Sequence, residues 1–224
     1  MRILMVTTSA DSLAAGHPTG TWLEEFAVPY SAFVTAGASV VVASPNGGPT
    51  PIDPQTTPDK DQREKWASAI TALENTSRLA DVSADRFDAV FIPGGHGPMV
   101  DLAHDRDVAR LLTDFDRAGK VIGAVCHGPA ALLSAVNADG RPLVEGRRVS
   151  AFTNNEEKLV KLADVVPFLL ETALKEKGAH WDGTPIPFAP HIVKDGNLVT
   201  GQNPASSAGI ADKILDVLRV AGTA

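Results

Sequence analysis

Short, uninterrupted apolar runs alternate along the chain with stretches whose apolar residues recur every third or fourth position. The runs Ile3–Thr8, Val40–Ala43, Ala89–Ile92 and Val121–Val125 read as strands buried on both faces. Trp22, Phe26, Tyr30, Phe33 and Val34 mark one helical face, which Gly37 closes. Asp59–Leu73, Val108–Phe115, Ala130–Val136, Val166–Glu176 and Ala205–Val220 carry the same helical spacing. Ser44–Pro58, rich in Pro and Gly, is predicted to be a surface loop. Arg148–Phe152 reads as a short strand. Ile192–Val193 and Leu198–Thr200 flank an Asp195-Gly196 turn signal and spell a hairpin. The alternation predicts one α/β domain over residues 1–224, with a mostly parallel central sheet between layers of helices.

Composition narrows the class. The 224 residues are 44% hydrophobic and carry a formal net charge of −7, ordinary for a globular chain and unfavourable for nonspecific binding to nucleic acid or anionic membrane. No apolar stretch is long enough to span a bilayer, and the N-terminus lacks a signal-peptide pattern, so the expected location is cytoplasmic. The single cysteine, Cys126, excludes an intrachain disulfide and a cysteine-rich zinc site. The Asn75-Thr76-Ser77 sequon has no meaning without secretion.

The chemistry is expected where a buried strand hands over to a helix. Val121–Val125 runs directly into Cys126-His127-Gly128-Pro129, with small residues at Gly123, Ala124 and Gly128. Such small neighbours suit a sharp elbow that lifts a nucleophile out of a sheet. A helix starting just after it would favour the thiolate. His127 is the candidate base. Glu156 and Glu157, beyond strand Arg148–Phe152, are candidates to orient the imidazole. Glu25 lies on an otherwise buried helix, four residues before Pro29. Gly94-Gly95 can turn backbone N–H groups inward as part of an oxyanion hole. His17, His96, His104, His180 and His191 are scattered, and no metal or cofactor is assigned to them. Trp22, Trp66 and Trp181 read first as packing residues.

Ala124-Val125-Cys126-His127-Gly128-Pro129-Ala130-Ala131-Leu132-Leu133 resembles the nucleophile elbow of the DJ-1/PfpI superfamily. The similarity is greatest to the branch of heat-shock-protein-31-like chaperones and glutathione-independent glyoxalases (glyoxalase III). It extends through Thr19–Glu25 with Pro29, Ala43–Gly48 with Pro51–Pro54, Ile92–Gly97, Val166–Glu171 and Val199–Pro204. The resemblance implies a three-layer, flavodoxin-like or class I glutamine amidotransferase-like fold. It implies Cys126 as nucleophile, His127 beside it, Glu157 as the triad acid (with Glu156 as the neighbouring alternative) and a protonated Glu25 against the sulfur. Gly95 and His127 would supply the oxyanion hole.

The implied activity is a cofactor-free, glyoxalase III-like lyase that converts methylglyoxal or a similar 2-oxoaldehyde to a 2-hydroxy acid. A stress-response holdase for unfolded client proteins is the alternative from another class, and a PfpI-type cysteine peptidase or amidase is a further one. The amidotransferase pattern of His and Glu two residues apart is broken here, since Val193 follows His191 at that spacing. A homodimer is the expected assembly.

Overall fold

In the computed structural model, which describes residues 1–221, seven strands form one sheet in the order β3-β2-β1-β4-β5-β9-β8. These strands are β1 (Arg2–Val6), β2 (Ser39–Ser44), β3 (Ser77–Arg78), β4 (Ala89–Ile92), β5 (Val121–Val125), β8 (Ile192–Asp195) and β9 (Leu198–Gly201). All neighbours pair in parallel except β8 with β9, the hairpin turned by Asp195-Gly196. A separate parallel pair joins β6 (Arg148–Val149) to β7 (His180–Trp181). The helices are α1 (Leu23–Thr35), α2 (Lys60–Lys65), α3 (Ala67–Glu74), α4 (Gly97–Val100), α5 (Arg106–Arg117), α6 (Asn154–Leu159), α7 (Leu170–Glu176) and α8 (Ser207–Ala221).

Strand alternation explains the three layers. Ile3, Met5, Ala89 and Phe91 face a core with Phe26 and Phe33 of α1, Leu73 of α3 and Ile210 and Ile214 of α8. Their neighbours Leu4, Val6, Val90 and Ile92 face the opposite core, with Leu111 and Phe115 of α5 and Leu170 and Leu174 of α7. Successive side chains of a strand point to opposite faces, so continuous apolar runs are what a sheet covered on both sides requires.

Several elements depart from the sequence reading. The helix expected over Asp59–Leu73 is broken at Trp66, whose backbone leaves the helical region (φ −110°, ψ 22°) while the residue is buried. The stretch expected to be helical over Ala130–Val136 is a tight 3-10 coil over Gly128–Ser134. Pro167 disfavours helical backbone at Val166, and α7 starts only at Leu170. The strand expected over Arg148–Phe152 pairs only through Val149. Beyond it the Phe152 N–H leaves the ladder to donate to the Cys126 carbonyl at 3.0 Å. No sequence signal marked its partner strand, the two-residue β7. Among the described residues, no helix is long and apolar enough to cross a membrane.

Candidate active site

The carboxyl ends of β4 and β5, beside the point where strand order reverses, bring the candidate residues together. Cys126 follows β5 with φ +59°, a left-handed conformation that costs an ordinary residue about 1–2 kcal/mol. Two backbone bonds hold it there: its N–H donates to Gly201 O at 3.0 Å, and its carbonyl accepts from Phe152 N–H at 3.0 Å. Gly128 is needed because a Cβ would press into the Ile92 carbonyl. Gly94 is needed because a Cβ would stand 2.5 Å from Glu25 Oε2 and 2.8 Å from Cys126 Cβ.

On one side of the sulfur lies an imidazole chain. His127 Nδ1 is 3.3 Å from Cys126 Sγ, and His127 Nε2 is 2.7 Å from Glu157 Oε2. The other Glu157 oxygen, Oε1, is 2.8 Å from His96 Nε2. The two imidazoles lie side by side, with ring centroids 4.0 Å apart, and Phe152 packs against both. Burial acts to raise the Glu157 carboxyl. The hydrogen bonds from His127 and His96 outweigh it and bring the pKa down to about 2. Burial, followed by the neighbouring His96, lowers His127 to about 4, so its imidazole is neutral. The hydrogen-bond network then assigns the proton to Nε2 and leaves Nδ1 as an acceptor facing the sulfur.

On the other side lies Glu25, on the first turn of α1 and fully buried. Its Oε2 accepts the Gly94 N–H at 2.9 Å. Burial raises its pKa to about 8, with hydrogen bonds to Cys126 and Gly94 offsetting only part of the rise. With that pKa the carboxyl beside the sulfur is neutral at neutral pH.

Burial works against the thiolate expected from the helix start. Burial pushes the Cys126 thiol up, while the Gly95 N–H against the sulfur acts in the opposite direction. Gly95 itself has φ +87°, and its N–H and that of His127 donate to no oxygen among the described residues.

Glu156 and Glu157 are now separable. Glu156 caps α6: its Oε2 accepts from Thr153 N–H and Oγ1 at 2.9 Å each, and its Oε1 accepts from Phe188 N–H, Gln202 and Asn203. Only Glu157 reaches the imidazoles. The Thr153-x-x-Glu156 spacing of a capping box was a signal present in the sequence. His96 had no such signal and joins the site only through the fold. Of the remaining histidines, His191 pairs with Asp182 at 2.9 Å, away from the sulfur. His96, His127 and Glu157 present ligand atoms within 4.8 Å of one another, the one such cluster among the described residues. In this arrangement hydrogen bonds close the cluster, so a divalent cation would have to displace both imidazole protons. Trp22 lines the cavity at Cys126, and Trp66 is core.

The DJ-1/PfpI family's sequence profile matches residues 18–217. The chain belongs to the DJ-1/PfpI family. Glyoxalase 3 of Candida albicans is 26% identical over 96% of this chain and 97% of its own. A crystal structure of glyoxalase III from the same organism superposes with TM-score 0.87 over 96% of both chains, at 24% identity. The glutathione-independent glyoxalase HSP31 of Saccharomyces cerevisiae is 27% identical over 97% of this chain and 98% of its own. A solved structure of a protein without a functional name is 44% identical, with TM-score 0.90 over 97% of both chains. The flavodoxin-like, three-layer architecture expected from the sequence is thus the family's.

Proposed function

We propose that this DJ-1/PfpI protein is a glutathione-independent glyoxalase that converts a 2-oxoaldehyde and water to a 2-hydroxy acid through Cys126. The observation that carries the reading is the thiol–imidazole–carboxylate chain at 3.3 and 2.7 Å, opening on a small cavity. The named activity of the full-length relatives supports it.

Neutral Cys126 gives its proton to His127 Nδ1 as sulfur bonds to the aldehyde carbon, forming a hemithioacetal. Glu157 stabilises the imidazolium formed in that step. Gly95 and His127 N–H groups hold the aldehyde oxygen. The hydrogen on the former aldehyde carbon is then removed and returned to the neighbouring carbonyl carbon through an enediol. That step oxidises one carbon by two electrons and reduces the other by two, so no redox cofactor enters the balance. A thioester results. Water adds to it, the carbon–sulfur bond breaks, and the thiol and the 2-hydroxy acid are released. The sequence leaves Glu25 or His127 as the carbon acid/base. His127 passes the thiol's proton to the aldehyde oxygen, completing the hemithioacetal, and is then neutral again and free to act as this base; it is favoured because it lines the cavity, whereas Glu25 does not. Glu25 keeps its proton and holds the sulfur in place.

The test is 2-hydroxy acid formation from methylglyoxal without glutathione. Wild-type protein is expected to make lactate and Cys126→Ala to make none. Lactate at the wild-type rate from Cys126→Ala would end the reading.

A further inference from the structure

The sulfur opens on a cavity of about 140 Å³ whose composition is lopsided. Gly95, His96, Cys126 and His127 form its reacting end, while Trp22, Phe152, Val160, Leu162 and Phe188 wall the rest. Gln55 is the one further polar side chain among the described lining residues, and no lysine or arginine faces the space.

The outer wall is built rather than left open. Phe188 sits in a left-handed backbone conformation (φ +60°), which a non-glycine residue adopts only where the surroundings impose it. Its N–H is pinned to the buried Glu156 Oε1 at 2.8 Å. The same loop is tied by Thr184 N–H to Gln202 Oε1 at 2.9 Å and by Asn203 Nδ2 to Ala189 O at 2.8 Å. Pro185, Pro187 and Pro190 restrict it further. The Phe188 ring lies 6.2 Å from that of Phe152, yet Phe188 remains 45% exposed. A strained, braced loop thus holds an apolar side chain over the cavity with part of its surface in water.

We infer that the site prefers 2-oxoaldehydes bearing a bulky apolar substituent, aryl or branched alkyl, over methylglyoxal, with Phe188 and Leu162 setting the preference. This rests on the proposed glyoxalase reading and narrows its substrate class. The reacting end needs only the two adjacent carbonyl carbons. A methyl group beyond them would leave the apolar wall uncovered, and a carboxylate or phosphate would be desolvated there without a cation. Each carbon added inside an apolar pocket improves specificity by roughly 10–200-fold where the fit allows.

The experiment compares phenylglyoxal with methylglyoxal on the full chain, scoring mandelate and lactate as products because phenylglyoxal also modifies arginine. We expect kcat/KM at least about tenfold higher for phenylglyoxal. Phe188→Ala and Leu162→Ala should each shrink that ratio severalfold. In parallel, Cys126→Ala protein is titrated with mandelate and with lactate, and mandelate should bind more tightly. A ratio of one or less, a ratio unchanged in both variants, or equal binding of the two acids would overturn the inference. If neither aldehyde is turned over but mandelate is still preferred, the glyoxalase reading falls and the preference for an apolar ligand stands.

Discussion

Two carboxyl groups flank the elbow, and their surroundings drive them to opposite charge states. Glu25 and Glu157 are 0% and 2% exposed, so burial penalises ionisation of both. Glu157 receives an imidazole N–H on each oxygen, and its pKa falls to about 2. Glu25 accepts one backbone N–H and shares a hydrogen bond with Cys126, leaves Oε1 without an oxygen or nitrogen partner, and rises to about 8. Burial dominates at Glu25, where few donors oppose it, while at Glu157 the two imidazole N–H groups outweigh it. The sulfur lies between an ionised acid acting through an imidazole and a neutral acid acting directly. The first can stabilise a proton received from the thiol, and the second can hold the sulfur without repelling its electrons.

The sharpest way to break this contrast is Glu157→Gln. A carboxamide has one acceptor oxygen, so one buried imidazole N–H would face an NH₂ donor. We expect kcat/KM for the aldehyde reaction to fall by ~10²–10⁴. Urea unfolding should show a stability loss of about 1.5–3 kcal/mol, since hydrogen bonds to a charged group are lost. The wild-type protein should also weaken in acid. His127 titrates at about 4 against an ordinary 6.5, and Glu157 at about 2 against 4.5, so for both groups the unfolded chain binds more protons across the interval. Stability is therefore lost as pH falls from about 6.5 through 2, and Glu157→Gln should lack the lower part of that loss.

Glu25→Gln tests the other arm and should act in the opposite direction. Glutamine copies the protonated carboxyl in shape and can still accept the Gly94 N–H. In the wild type, the unfolded chain loses the Glu25 proton near 4.5 while the folded chain keeps it to about 8, so stability falls as pH rises across that interval. The variant should escape this fall, at a gain on the order of 1.4 kcal/mol per pH unit of the interval. The alkaline limb of activity near pH 8, where Glu25 ionises against the sulfur, should disappear with it.

Glu24→Gln is the mildest probe. Glu24 is exposed and its charge adds slightly to the Glu25 rise. Stability should change by about 0.5 kcal/mol or less. The alkaline limb should move toward lower pH by a fraction of a unit.

Much of this arrangement was legible before the fold was known. The apolar runs β1, β2, β4 and β5 announce themselves because strands buried on both faces cannot hide among polar residues. Cys126 stood out because β5 runs straight into it and Gly128 follows. Glu157 could not be told from Glu156 by composition or position alone, since both occupy the first turn of α6 and both are buried. Their difference lies in which partners the fold delivers. His96 was lost among scattered histidines because its link to Glu157 spans sixty-one positions. The charge state of Cys126 was not legible either, because the helix start after it is a local signal, whereas the burial that pushes the thiol up is a property of the whole fold.

Infrared difference spectroscopy of the carboxyl stretch tests the charge contrast most directly. At neutral pH, a band from one buried, protonated carboxyl at the site is expected, one that titrates near 8, disappears in Glu25→Gln and survives in Glu157→Gln. A wild-type spectrum without that band, or a band that persists in Glu25→Gln and vanishes in Glu157→Gln, would contradict it.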